Sequence, residues 1–227
     1  MSTESMYARL QSLPLFKGVS HTKLSEMVGK NRFHFLKYTP GEIIVQAGEP
    51  CKHIISVVSG AVKSTIQTAD KKFTVSEILD SPGVIAPDYF FGRKTNYPST
   101  VTAHSTVGLL QLDKNDYLSI INADTVTLFN FLNLLSLNSQ LAVEGVLALS
   151  SGDLQKRIAY WIVALTDHDA HDIVMECRHR DLYTVFGVQR QSLISALDSL
   201  RANGVIDYLP NRIMVSERKK LLEVLEI

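Results

Sequence analysis

The stretch Asp181-Leu182-Tyr183-Thr184-Val185-Phe186-Gly187-Val188-Gln189-Arg190-Gln191-Ser192-Leu193 decides how this chain is read. Asp181 to Phe186 predicts a short helix and Gly187-Val188-Gln189 a tight turn. Arg190 to Ala202 predicts a second helix, closed by Gly204 just past its end, where the left-handed conformation of a helix stop suits glycine. Leu193, Ile194, Leu197 and Leu200 give the second helix an apolar side, while Arg190, Gln191, Ser192 and Ser195 fall on its first exposed turns. Val205 to Tyr208 and Arg212 to Val215 predict two short strands around Pro210-Asn211, and Glu217 to Leu225 a closing helix. Two helices joined by a Gly-containing turn and followed by a hairpin form the pattern of a winged helix-turn-helix, whose second helix lies in the major groove of double-stranded DNA. Glutamine suits adenine there, and arginine suits guanine or phosphate. By pattern alone, an ordinary polar helix face reads the same way.

The charge distribution is local. Across 227 residues, Lys plus Arg equals Asp plus Glu at 23 each, so net charge gives no sign of a polyanionic partner. Between Arg178 and Lys220, however, eight cations face four carboxylates, a net of four positive charges. The two cysteines, Cys51 and Cys177, are too few and too far apart for a disulfide framework or a Cys-ligated metal or iron–sulfur site, and a reducing cytoplasmic setting is expected. Met1 to Leu10 carries Glu4 and Arg9 and has no apolar core, so no secretory signal is read. The most apolar stretch, Thr125 to Leu149, is interrupted by Asn130, Asn133, Asn138, Gln140 and Glu144, and no membrane partner is expected.

Upstream of the decisive stretch, Ser150-Ser151-Gly152-Asp153 supplies a break and an N-cap for a helix over Leu154 to Leu165, with Ile158, Trp161, Ile162 and Leu165 on its buried side. Thr166 to Asp172 reads as a polar loop. Thr125 to Leu149 holds 15 apolar residues in 25 with a single charge, more than one core contact needs. Two buried faces follow, one on its own domain and one, through Leu128, Leu132 and Leu135, on a partner subunit. The alternative is a helix buried wholly within one core. From Gly41 to Leu112 the texture changes to short β-branched and apolar runs (42–45, 54–58, 61–66, 73–79, then two more over 99–112) cut by glycines and prolines, which predicts a double β-sheet or barrel.

With these residues quoted, the C-terminal stretch, continuing through Leu200, Gly204-Val205-Ile206 and Ile213, resembles the DNA-binding domain of the cyclic-AMP receptor protein and FNR (Crp/Fnr) family. Gly41-Glu42-Ile43-Ile44-Val45-Gln46-Ala47-Gly48-Glu49, with Ile55, Val58, Gly60, Val62, Lys63, Pro82-Gly83 and Ala103, resembles that family's cyclic-nucleotide-binding jelly roll. The resemblance implies an α+β chain with a jelly-roll sensor over 1–115, a dimerisation helix over 116–150 and a winged helix-turn-helix over 151–227. It also implies a homodimer reading a roughly palindromic site, with RNA polymerase as a further partner. Carried over position by position, Arg190 and Gln191 fall where the family reads bases, and Ser192 and His179 where it holds phosphates. Ser195 falls where many relatives place an arginine, and Tyr183 where they place a small residue. The effector pocket maps to Ala86, Pro87, Asp88, Tyr97, Ser99 and Thr100. Pro87 replaces the family's ribose-binding Glu and Tyr97 its phosphate-binding Arg, so cyclic AMP is not the expected ligand and the effector, if one exists, is another small molecule.

Other chemistries fare worse. No cysteine precedes Cys51, which excludes the N-terminal iron–sulfur mechanism of FNR-type relatives. His21, His34, His53, His104 and Cys51 are haem ligands in principle but read better as structural or exposed groups. Asp167-His168-Asp169-Ala170-His171-Asp172 is rich in metal-capable side chains, yet reads as a solvated loop. A metal-dependent cupin-type enzyme would need clustered histidines on its strands. No His-X-His, nucleophile elbow or phosphate loop occurs, so an enzyme is not expected. The remaining alternative is a ligand-binding signalling module whose C-terminal helices make only protein contacts.

Overall fold

In a computed structural model that describes residues 3–149 and 153–225, the chain forms two compact units. One comprises Met1–Val62 with Asp80–Asn138 and the other Lys63–Leu79 with Ser139–Ile227. In chain order the elements are α1 (Thr3–Ser12), α2 (His21–Lys30), β1 (His34–Tyr38), β2 (Ile43–Val45), β3 (His53–Ser59), β4 (Ala61–Gln67), β5 (Thr74–Asp80), β6 (Gly83–Ile85), β7 (Thr100–Ala103), β8 (Val107–Asp113), α3 (Lys114–Ala123), α4 (Thr125–Leu149), α5 (Leu154–Ala164), β9 (His171–Glu176), α6 (His179–Phe186), α7 (Arg190–Ala202), β10 (Asp207–Leu209), β11 (Arg212–Glu217) and α8 (Arg218–Leu225).

In the first unit, β1, β8, β3 and β6 pair in that order as an antiparallel sheet, and β2 pairs with β7. Ile54, Ile55, Leu109, Leu110 and Leu112 sit in its core with Leu10, Leu13, Leu15 and Phe16 from the N-terminal segment. Gly60 turns the chain from β3 into β4 at φ +80°, where a Cβ would meet the Thr106 carbonyl oxygen at 2.3 Å. No other residue fits that turn. The helices α1 and α2 and strand β1 lie outside the β-region read from the sequence. Ser20 caps α2 by accepting from the Lys23 N–H, and Leu24 and Met27 anchor it.

The second unit is built on β9. It lies between β11 and β5, so the wing hairpin β10–β11 and strand β5 share one antiparallel sheet. The polar-loop reading of Thr166 to Asp172 therefore needs correction at its end, where His171 and Asp172 already belong to β9. Residues 63–79, grouped by sequence with the sensor, pack with the C-terminal residues. Phe73 meets Trp161 edge to face at 5.7 Å, and Trp161 meets Phe186 at 5.6 Å. Asp153 caps α5 as expected, accepting from the Lys156 N–H at 2.8 Å, but Leu165 follows the helix as an exposed C-cap. The expected break at 150–152 lies outside the described residues. No single described helix is long and apolar enough to cross a membrane.

Candidate nucleic-acid interface

Helices α6 and α7 meet through Gly187-Val188-Gln189. Gly187 takes φ +63°, and the Gly187 and Val188 N–H groups donate to the Thr184 and Tyr183 carbonyls. Leu182 and Phe186 from α6 pack with Leu193, Ala196, Leu197 and Leu200 from α7, which fixes the roll of α7 about its axis. That roll leaves Arg190, Gln191, Ser192 and Ser195 exposed on its first two turns. Gln189 precedes the helix without a capping side-chain bond, so the first N–H groups of α7 remain open to an acceptor. Tyr183 is half-buried at the margin of the core.

His179 opens α6 rather than standing before it. Its Nε2 lies 3.0 Å from the Leu209 carbonyl and its ring 5.5 Å from Tyr208, which ties the imidazole to the hairpin. Tyr208 in turn donates its hydroxyl to Asp198 on α7 at 2.5 Å, and Arg201 bonds Asp207 and the Tyr208 carbonyl. The wing is therefore braced to α7 by side chains from both.

The cationic excess is only partly a surface. Arg218 is 3% exposed and donates to the Val163 and His168 carbonyls and to the Thr166 hydroxyl. Arg178, Arg201 and Arg212 lie 2.9, 2.8 and 4.0 Å from Asp181, Asp207 and Glu176. Arg180, Arg190, Lys219 and Lys220 have no ion-pair partner among the described residues. The carboxylates that pair the other cations sit 3 to 36 positions away, so a window count could not separate the two groups.

The residues expected from the sequence to line an effector pocket lie in the first unit. Ala86 takes a left-handed φ of +45° ahead of a single helical turn over Pro87–Tyr89, and Pro87 is buried. Asp88 accepts from the Asn138 amide at 2.7 Å. Tyr97 is 5% exposed, and its hydroxyl donates to the His53 carbonyl at 3.3 Å. Thr100 accepts from the Ala47 N–H, and Ser99 is buried. Phe90, Phe91, Tyr117 and Phe131 form a chain of edge-to-face rings beside this segment. The cations Arg93 and Lys94 are exposed. Tyr97 thus supplies an inward-facing phenol already engaged with a backbone carbonyl, which does not fit a buried cyclic phosphate that needs a cation.

On α4, Leu132 is 45% exposed, whereas Leu128 and Leu135 are half-buried. More exposed still are Phe129 at 60%, Val143 at 57% and Val146 at 68%, which the sequence reading left unnamed. They continue the 3–4 spacing of Phe129, Leu132, Ser136, Ser139, Val143 and Val146, in which the two serines interrupt the apolar run.

The family model for the cyclic nucleotide-binding domain matches residues 35–124, and that for the Crp-like helix-turn-helix domain matches residues 156–224. The chain belongs to the Crp/Fnr family. This Crp/Fnr regulator is 23% identical to the cyclic AMP receptor protein of Thermus thermophilus over 95% of its own length and 98% of the relative's. Its fold matches the crystal structure of the Thermus thermophilus catabolite activator protein with a TM-score of 0.55 at 22% identity, covering 93% of this chain and 97% of the other. It also matches OCPA-complexed CprK with a TM-score of 0.50 at 16% identity, covering 89% and 93%. The Crp/Fnr chain is a DNA-binding transcription regulator, and its family is not one of enzymes. The expected α+β architecture, a cyclic-nucleotide-binding-like β-domain followed by a winged helix-turn-helix, is the one observed.

Proposed function

We propose that this regulator acts as a cytoplasmic homodimer that reads a roughly palindromic DNA site through α7, with a sensor over 1–115, a dimerisation helix over 116–150 and a DNA-binding domain over 151–227. The observation that carries the reading is the roll of α7. Four buried apolar side chains hold it so that Arg190, Gln191, Ser192 and Ser195 all face outward on its first turns. Arg190 and Gln191 contact bases, and Ser192 and His179 position phosphates. Ser195 is too short to reach as far as an arginine, so the base preference at that position is relaxed. The apolar stripe of α4 supports the dimer, and two-fold symmetry in the protein implies two-fold symmetry in its site. RNA polymerase is the protein partner of such a regulator.

Any effector in the Ala86–Thr100 segment is not cyclic AMP, because Tyr97 and Pro87 stand where a guanidinium and a carboxylate are needed. The test is selection of duplex DNA from a random library by the purified protein without effector, with the Arg190→Ala, Gln191→Ala double variant in parallel. The expected result is a palindromic consensus with half-sites about one helical turn apart, lost in the variant and unchanged by cyclic AMP. Equal enrichment by both proteins would remove α7 as the reader, and enrichment only with cyclic AMP would overturn the reading of Pro87 and Tyr97.

A further inference from the structure

The first unit contains a cavity of about 560 Å³ apart from the Ala86–Thr100 segment, bounded by α1, the edge strand β1 and the adjoining ends of β3 and β8. That volume is in the range of small-molecule sites. Its floor is the place where the β3–β8 register slips between Val57 and Ser59 and Gly108 presents no side chain, since a Cβ there would lie 2.7 Å from the Ser59 hydroxyl. A bulge of this kind opens a sheet locally. Leu10 and Leu109, each 1% exposed, form part of the wall, while Phe35 and Leu36 remain 49% and 38% exposed on the edge strand. The cavity is therefore apolar and reachable from solvent. Arg9 of α1 and Lys37 of β1 also line it, both are exposed, and neither has an ion-pair partner among the described residues.

We propose that this cavity is a binding site for an amphipathic organic anion, a carboxylate carrying an apolar body, with the body against Leu10, Leu36 and Leu109 and the carboxylate between Arg9 and Lys37. Burying the body removes apolar surface from water, from both the ligand and the exposed Phe35 and Leu36. Arginine can meet a carboxylate with two parallel N–H bonds, and lysine adds a point charge. An uncharged ligand of equal length would leave the two cations unused, so the site discriminates by charge as well as by shape. It is independent of the DNA-reading proposal and of the Ala86–Thr100 segment.

The test is calorimetric titration of the full chain with decanoate, and with decan-1-ol as the uncharged counterpart. Wild-type protein should bind decanoate saturably at one site per chain below about 1 mM, a threshold at the weak end of specific affinity. Decanol should bind about tenfold more weakly. Arg9→Gln with Lys37→Gln should weaken decanoate by about tenfold or more and leave decanol unchanged. Leu36→Trp, which fills the cavity from a half-exposed edge position, should abolish both while circular dichroism and melting temperature stay as in the wild type. Absence of saturable binding, or equal binding by wild type and both variants, overturns the proposal. So does sedimentation showing that Leu36→Trp dissociates a dimer, since the face would then be covered by a second copy.

Discussion

The backbone N–H of Asp167 donates to the Glu77 carboxylate over 2.8 Å, joining the turn after α5 to strand β5. Arg218 lies in the same cluster, and its field opposes the effect of burial on both acids. Burial dominates nonetheless. It pushes Glu77 up to about 7, with the Asp167 N–H and the Arg218 charge pulling the other way and the Asp167 charge reinforcing it.

A carboxyl group whose folded-state pKa exceeds its unfolded value of 4.5 binds its proton more tightly in the folded chain. It therefore favours folding fully below about 4.5 and loses that contribution as pH rises through about 7. Glu77→Gln keeps an acceptor for the Asp167 N–H without the buried charge. It should be more stable than wild type by about 1–2 kcal/mol at pH 8 and nearly equal to it at pH 4.5, by thermal unfolding at both pH values. A larger gain at the lower pH would contradict the burial of this carboxylate.

Trp161 is the only tryptophan of the chain and stands between Phe73 and Phe186. Replacing it with alanine should destabilise the protein by about 2–4 kcal/mol. A double-mutant cycle with Phe73→Ala should show about 0.5–1.5 kcal/mol of coupling. The Phe73→Ala variant alone should shift tryptophan emission, a direct optical report that the β4–β5 segment packs on α5. Additivity within about 0.3 kcal/mol would mean the rings do not interact.

Much of this arrangement was legible in the sequence, for local reasons. Gly187 and Gly204 marked the ends of α6 and α7, Asp153 marked the start of α5, and the run 125–149 announced α4 because helix signals repeat within a few residues. Strand β9 was missed although its alternation is plain in retrospect, with Ile173, Met175 and Cys177 buried between Asp172, Val174 and Glu176. The polar His168–Asp172 run beside it masked the period. The pairing of β5 with β9 had no local signal, since Ser76 and Val174 are almost a hundred positions apart. The ion pairs of Arg178 and Arg201, with Asp181 and Asp207 three and six positions away, were within local reach, whereas that of Arg212 with Glu176 depends on the pairing of β11 with β9.

Tyr117 is fully buried among Phe90 and Phe131, and its hydroxyl has no hydrogen-bond partner among the described residues. Tyr117→Phe removes an unsatisfied polar atom while preserving the ring contacts. It should stabilise the protein by about 1 kcal/mol in denaturant unfolding at unchanged m-value. A loss of stability would reveal a partner for the hydroxyl.

If α4 mediates dimerisation, charge on its exposed stripe must oppose it. Phe129→Glu with Val146→Glu should convert a dimer to a monomer by sedimentation at micromolar concentration while leaving secondary structure intact, because both side chains are mostly exposed within one chain. DNA affinity should fall with it, since each monomer reads a single half-site. A variant that remains dimeric would place the subunit contact elsewhere.

The position of β9 between β11 and β5 also bears on how the chain can be cut and how it is made. A fragment beginning at Asp153 would retain α6, α7 and the wing but present β9 with its Thr74–Ile78 neighbour missing, an open ladder of backbone donors and acceptors ready to pair with another fragment. On the ribosome the order is reversed: the β4–β5 segment emerges first and must wait for almost a hundred further residues before its partner strand exists. The C-terminal unit of this regulator therefore takes one of its strands from chain already synthesised, and a fragment without residues 63–79 lacks that strand.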